Sequence, residues 1–248
     1  MSHLHYLPIA LPFFSILIGA VFILIVIMEL RALRYAYLSI GLSSGASMLV
    51  LIASLIGSYF NIPVTELPGR HEVTGEVIYF FGVGYVVPRE VDWPGTIIAV
   101  NVGGALIPGL VSIYLLFNHD IWLRGVLAIA CVAAVTHWLA QPVPHLGIAL
   151  PTFVPAVATA ATALILSWSR AAPLAYIGGS MGTLVGADLL NLDKIQGLGA
   201  PVASIGGAGT FDGIFLTGVL AVLIAGIPAA FRRDPRRKYD TARRGPWG

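Results

Sequence analysis

Apolar runs of about twenty residues follow one another along almost the whole chain, broken by glycine, proline and a few charges, and that length is what a helix needs to cross the hydrocarbon core of a bilayer. Buried in lipid, such a run has no water to satisfy its backbone, which leaves the helix and the closed barrel as the possible folds. Barrel strands would alternate polar and apolar residues over about ten positions. These runs are continuous. With 57% hydrophobic and 10% charged residues and a mean hydropathy of +0.87, the composition lies outside the soluble range, where about a quarter of residues are charged. The chain therefore reads as an all-α polytopic transmembrane helix bundle.

Seven spans are expected, at 8–28, 37–59, 96–117, 121–139, 147–168, 173–192 and 205–231. Residues 1–231 form one transmembrane domain, and 232–248 are a basic tail. The first run has no basic start or small-residue cleavage site, so it reads as a retained helix. Arg31, Arg34, Arg124, Arg170 and the seven basic residues of the tail fall on one side, against Arg70, Arg89 and Lys194 on the other. The excess of positive charge marks the cytoplasmic face of the membrane, with the N-terminus outside and the C-terminus inside. Anionic lipid is the expected partner of the tail, at about 1 kcal/mol per basic residue near the surface. Nothing in it resembles a nucleic-acid fold, so no nucleic acid is expected. The lone cysteine, Cys131, lies in an apolar run and reads as a packing residue.

The only sizeable extramembrane segment is the external loop 61–95. Its stretch 74–88 is rich in β-branched and aromatic residues around Gly82 and Gly84, which predicts a short hairpin or a re-entrant element. It reads as a lid, a partner-docking patch or a loop lying on the bilayer surface. No internal repeat appears, which speaks against an inverted-repeat transporter.

Two acids break the apolar pattern deep within predicted spans. Asp188 lies twelve residues before Ala200 and Asp212 twelve after it, with the turn Gly197-Leu-Gly-Ala-Pro201 between them. In an antiparallel helix pair that symmetry puts both carboxylates at one depth, at most about 18 Å from the turn. Charges at that depth are costly and face a protein interior or a wet cavity. Gly178, Gly182 and Gly186 recur every fourth residue, a smooth face for close helix packing. Asp188 points away from it, on a face with Met181, Leu184, Val185 and Asn191. The glycine-rich run before Asp212 is expected to be partly unwound. Two carboxylates a few ångström apart share a proton, the state both of an aspartic protease and of a proton or cation carrier. Spacing licenses the pair without choosing its use.

Gly186-Ala-Asp-Leu-Leu-Asn-Leu, the run from Ala200 to Gly218 and the earlier Gln141-Pro-Val-Pro-His-Leu-Gly-Ile-Ala-Leu-Pro together resemble a family of uncharacterised multi-pass membrane proteins of bacteria and archaea, over roughly residues 96–231. That resemblance implies a fold and a prokaryotic source, and no activity. Gly209-Thr-Phe-Asp212-Gly is also similar to the Gly-x-Gly-Asp motif of presenilin and signal peptide peptidase, which implies Asp188 and Asp212 as catalytic acids and Gly209 as the first motif glycine. Phe211 stands at the second glycine position, no tyrosine precedes Asp188, and no Pro-Ala-Leu motif follows.

His137 and His145 flank a Gln-Pro-Val-Pro bend and form a weaker, alternative metal pair. Asn101 lies in an apolar run, where an interhelical hydrogen bond or the orientation of a carboxylate would occupy it. Thr136, Thr152, Thr159, Thr162 and Thr183 are expected to satisfy their hydroxyls on their own helices. No nucleotide, haem or serine-hydrolase motif is present and no cofactor is expected. The leading expectation is a membrane-embedded di-aspartyl hydrolase acting on transmembrane peptides through Asp188 and Asp212, supported by Gly186, Gly209, Gly213, Asn191 and Asn101. The alternatives are a proton- or cation-coupled transporter or channel using the same pair, and a membrane assembly or scaffolding protein.

Overall fold

Among the described residues seven helices appear, in the order the apolar runs predict. The computed structural model describes residues 10–80, 82–93, 95–143, 147–151, 153–195, 201–207 and 213–231. Helices α1 (Ala10–Ser39) and α2 (Ser44–Gly57) form an opening pair, with Ser43 capping α2 by accepting the Ala46 N–H at 3.3 Å. Four strands follow: β1 (Asn61–Leu67), β2 (Arg70–Phe80), β3 (Val83–Trp93) and β4 (Thr96–Asn101). A π-helical turn at Val102–Leu106 leads into α3 (Ile107–His119) and then α4 (Trp122–Leu139). The two-stranded β5 (Gln141–Val143) and β6 (Gly147–Ala149) precede α5 (Val154–Leu166). The sixth helix starts as α6 (Ala171–Ile177), widens into π turns at Gly178–Gly182 and Leu184–Asp188, and tightens to 3-10 geometry over Leu189–Lys194. Strand β7 (Val202–Ile205) and α7 (Gly213–Phe231) complete the chain's described part.

Strand content exceeds the sequence expectation. The hairpin expected within 74–88 is real and longer: β2 and β3 pair antiparallel from Arg70 opposite Trp93 to Phe80 opposite Val83, with Gly82 at φ +79° in the turn. A second sheet was not anticipated. β4 pairs antiparallel with β1 and parallel with β7, in the order β1-β4-β7. The third and fifth predicted spans thus open on strands, at 96–101 and 147–149, and the seventh, expected from Ile205, becomes helical only at Gly213. Short apolar runs rich in isoleucine and valine fit either state, and here pairing between distant segments decides it.

The sixth helix is the axis of the bundle. Leu174, Ala175, Tyr176 and Ile177 are all buried, and the main core gathers around them from α1, α2, α3, α5 and α7. A helix apolar all round belongs inside. Its glycine ladder does what the spacing predicts: side-chain carbons added at Gly178, Gly182 and Gly186 would fall on Ala128, on Val132 and on Ala133 with Thr136, all on α4. Thr136 seals that contact by donating to Val132 O at 2.9 Å and to Gly182 O across the interface at 3.3 Å.

Among the described residues three helices are long and apolar enough to cross a membrane: Phe14–Ser39, Val102–His119 and Trp122–Leu139. Ser44–Gly57, Val154–Leu166 and Thr217–Gly226 are apolar but shorter.

Candidate functional site

Asp188 ends the second π turn of the sixth helix, half-buried beneath the β4-β7 end of the three-stranded sheet. Its Oδ2 accepts the backbone N–H of Gly206 at 2.7 Å, and its Oδ1 accepts no hydrogen bond among the described residues. Met181 and Leu184 share the side expected for Asp188 and pack with Ile98, Ala105 and Ile205 beneath the sheet. Gly206 follows β7 at φ +78°, and a side-chain carbon there would lie 2.6 Å from Ala105 Cβ. Left-handed backbone and absence of space both require glycine at this position. The chain thereby turns an N–H, a charge-tolerant donor, onto the carboxylate.

Asn191 is buried and faces its own helix. Its Nδ2 donates to Gly186 O and Ala187 O, both at 2.9 Å, and its Oδ1 accepts from Lys194 Nζ at 2.7 Å. The shift from π to 3-10 geometry leaves carbonyls without regular partners, and this side chain covers two of them. Asn191 therefore fixes the helix end three residues beyond Asp188.

Asn101 ends β4 and caps the following π turn. Its Oδ1 accepts the Gly104 N–H at 2.8 Å, while Nδ2 donates to Ser58 O at 2.8 Å and Asn61 Oδ1 at 3.0 Å. Ser204 Oγ donates to the same Asn61 oxygen at 2.6 Å. These bonds tie α2, the sheet and the segment leading to Gly206 into one frame. Asn101 touches Asp188 only through that frame. Replacing it by leucine strands the buried Gly104 N–H and the Ser58 carbonyl, and should cost about 1–3 kcal/mol for each group left unmet, read as a lower unfolding temperature in detergent.

Asp212, Gly209 and His145 lie outside the described residues, as does the basic tail. Gly213 is the first residue of α7, so Asp212 immediately precedes a helix. Equal depth for the two acids requires helix on both sides of the turn. Strand β7 and the Gly206 turn occupy much of the second side, so a rise of 1.5 Å per residue does not apply there. His137 sits in the last turn of α4 with a buried Nδ1 that has no hydrogen-bond partner, and no group of three or more His, Cys, Asp or Glu gathers among the described residues.

Two members of the site were not anticipated from the sequence, the Gly206 N–H and Lys194. A backbone donor carries no side-chain signal, although the doublet Gly206-Gly207 marks a place where backbone approaches something closely. Thr183 also departs from expectation. Thr136, Thr159 and Thr162 donate to carbonyls of their own helices, whereas the buried Thr183 hydroxyl has no partner among the described residues.

A largely helical protein with long apolar helices and a carboxylate held at a helix distortion is the class these features define. The chain belongs to the DUF1614 family of proteins of unknown function, which it matches over residues 55–224. That match takes in the hairpin and the three-stranded sheet as well as the helices around Asp188, reaching further toward the N-terminus than the likeness carried by residues 96–231. No curated protein and no solved structure matches the chain.

Proposed function

We propose that the protein is a multi-pass protein of a prokaryotic cytoplasmic membrane, with its N-terminus outside and its basic tail inside, and that it carries protons through its helix bundle by way of Asp188. Support for the membrane setting comes from α1. From Phe14 to Met28 its large apolar side chains are exposed, Ile16 at 72% and Phe22 at 65%. A helix apolar on every side and largely exposed over half its length is stable in lipid and not in water.

The observation that carries the transport reading is the Asp188 carboxylate. One oxygen is held by Gly206 and the other has no partner among the described residues, on an axial helix whose turns are widened on either side of Thr183. Acids at membrane depth mark proton relays and ion paths, and π turns inside helices concentrate at functional positions. Among the described residues no other carboxylate joins Asp188 in a cluster of possible metal ligands, and a carboxylate by itself suits a proton, whereas metal cations ask for several oxygen ligands at once. In this reading the free oxygen takes up and releases the proton, while the Gly206 N–H holds the carboxylate in place.

Di-aspartyl hydrolysis is the second reading. The Gly206 bond favours it to this extent: it pins Asp188 to the segment that reaches Asp212 six residues later.

Purified full-length protein in liposomes carrying a pH-sensitive dye separates the two. Wild-type protein should dissipate an imposed pH gradient, Asp188→Asn should abolish that flux, and Asp212→Asn should retain part of it. Undiminished flux in Asp188→Asn ends the transport reading. Cleavage of single-span peptides in the same bilayers, lost in both variants, would establish the hydrolase in its place.

A further inference from the structure

Six buried hydroxyls in the middle of the bundle are unaccounted for by the site above: Ser54 on α2, Tyr37 on α1, Ser112 on α3, and Tyr176, Ser180 and Thr183 on the sixth helix. None is more than 4% exposed. Tyr37 and Tyr176 bring their rings to 5.9 Å between centroids. The Tyr37 hydroxyl feels those of Tyr176 and Ser54, and the Tyr176 hydroxyl feels that of Ser180. Yet among the described residues the hydroxyls of Ser54, Ser112, Tyr176, Ser180 and Thr183 complete no hydrogen bond.

That pattern is selective. Ser39, Ser47, Ser58, Thr136, Thr159 and Thr162 all donate to backbone carbonyls three or four residues back, the usual way for a hydroxyl in an apolar helix to be satisfied. Buried polar atoms are ordinarily bonded to protein or to ordered water. Neighbouring hydroxyls that are close without being aligned are the arrangement that bridging water completes.

Along the sixth helix the steps from Tyr176 to Ser180, to Thr183 and to Asp188 are four, three and five residues. Each is about one turn, the last across a π segment whose Leu189 N–H bonds Leu184 O, five residues back. Twelve residues rise at most about 18 Å, over half of the roughly 30 Å hydrocarbon core.

We propose that these hydroxyls hold a file of internal water that runs along the sixth helix from the Tyr37–Tyr176 pair to Asp188 and serves as the route by which protons reach it. The file is the access path of the proton-carrier reading and rests on it for its use, while its hydration stands as a separate physical claim. Tyr37, Tyr176 and Ser180 are positioning residues for water; none exchanges a covalent bond.

X-ray hydroxyl-radical footprinting of the full chain in nanodiscs tests the hydration directly, because internal water generates radicals beside the side chains it touches. Tyr37 and Tyr176 should be oxidised despite their burial, and Tyr176 should lose that labelling when Ser54→Ala and Ser180→Ala are combined. Absence of labelling at both tyrosines in folded wild-type protein, with Ser180→Ala more heat-stable than wild type, would overturn the proposal, since a dry unpaired hydroxyl is a burden whose removal stabilises. Proton flux keeps the two claims apart. Labelled tyrosines without flux would preserve the water file and discard its use as a proton route, together with the carrier reading. Flux that depends on Asp188 but is unchanged in Tyr176→Phe and Ser180→Ala, with unlabelled tyrosines, would discard the file alone.

Discussion

Gly186→Ala is expected to lower stability by about 3 kcal/mol, the upper part of the range for overpacking a tight contact and a large share of the roughly 5–15 kcal/mol that holds a domain together. The added carbon would meet backbone, with Ala133 Cα 2.8 Å away and the Ala133 carbonyl and Thr136 hydroxyl closer still. Backbone in the middle of α4 has no rotamer by which to yield, so the two helices must separate. The ladder makes the effect graded. At Gly182 the nearest atom is Val132 Cβ at 2.6 Å, and at Gly178 it is Ala128 Cβ at 3.2 Å, so alanine should cost about 2 kcal/mol at the first and under about 1 kcal/mol at the second. Gly19 in α1 has nothing within 4 Å, and alanine there should be stabilising by about 0.5–1 kcal/mol through helix propensity alone. Thermal unfolding of the four variants in one detergent checks the order. A flat series would mean that α4 and the sixth helix do not meet through these glycines. Because Asp188 lies two residues beyond Gly186, proton flux should fall in step with the packing loss.

The glycine ladder was legible in the sequence because small residues at every fourth position have few other uses inside a membrane-length helix, and the wider π turns keep them on the side facing α4. The hairpin was legible for a similar reason: β-branched residues and tyrosine around Gly82 and Gly84 have no good helical reading. Thr96-Ile-Ile-Ala-Val-Asn101 was read as helix because an apolar run of that size carries no period of its own. What makes it a strand is pairing on both edges, antiparallel with Asn61–Leu67 and parallel with Val202–Ile205 about a hundred residues away, which no local pattern announces. The same pairing delivers Gly206 to Asp188, so half of the candidate site hung on a contact that the sequence does not display. Asp188 itself stood out because a charge in an apolar run is costly. The hydroxyls of Tyr176, Ser180 and Thr183 did not, since serine and threonine ordinarily disappear into their own helix, and only coordinates show which of them fail to.

Gly206→Ala is the second large effect, and it joins stability to function at one atom. Left-handed backbone costs a residue with a side chain about 1–2 kcal/mol, and the approach of Ala105 Cβ and N, at 2.6 and 2.7 Å, adds about 1–3 kcal/mol of overpacking. The loop can relieve both by rotating away, but the rotation carries the N–H off Asp188 Oδ2. Proton flux should then fall toward the level of Asp188→Asn even at temperatures where the variant is fully folded, which separates the lost donor from lost structure. The two substitutions act on one contact, so their effects on flux should not add: the double variant should conduct no less than Asp188→Asn alone, as expected for partners in one interaction. Asn101→Leu, which loosens the same frame without touching the carboxylate, should lower the unfolding temperature while the folded fraction keeps its flux. If Gly206→Ala behaves like Asn101→Leu, weaker but fully conducting, the Gly206 donor merely holds the sheet to the sixth helix, and Asp188 must be oriented by something other than that bond.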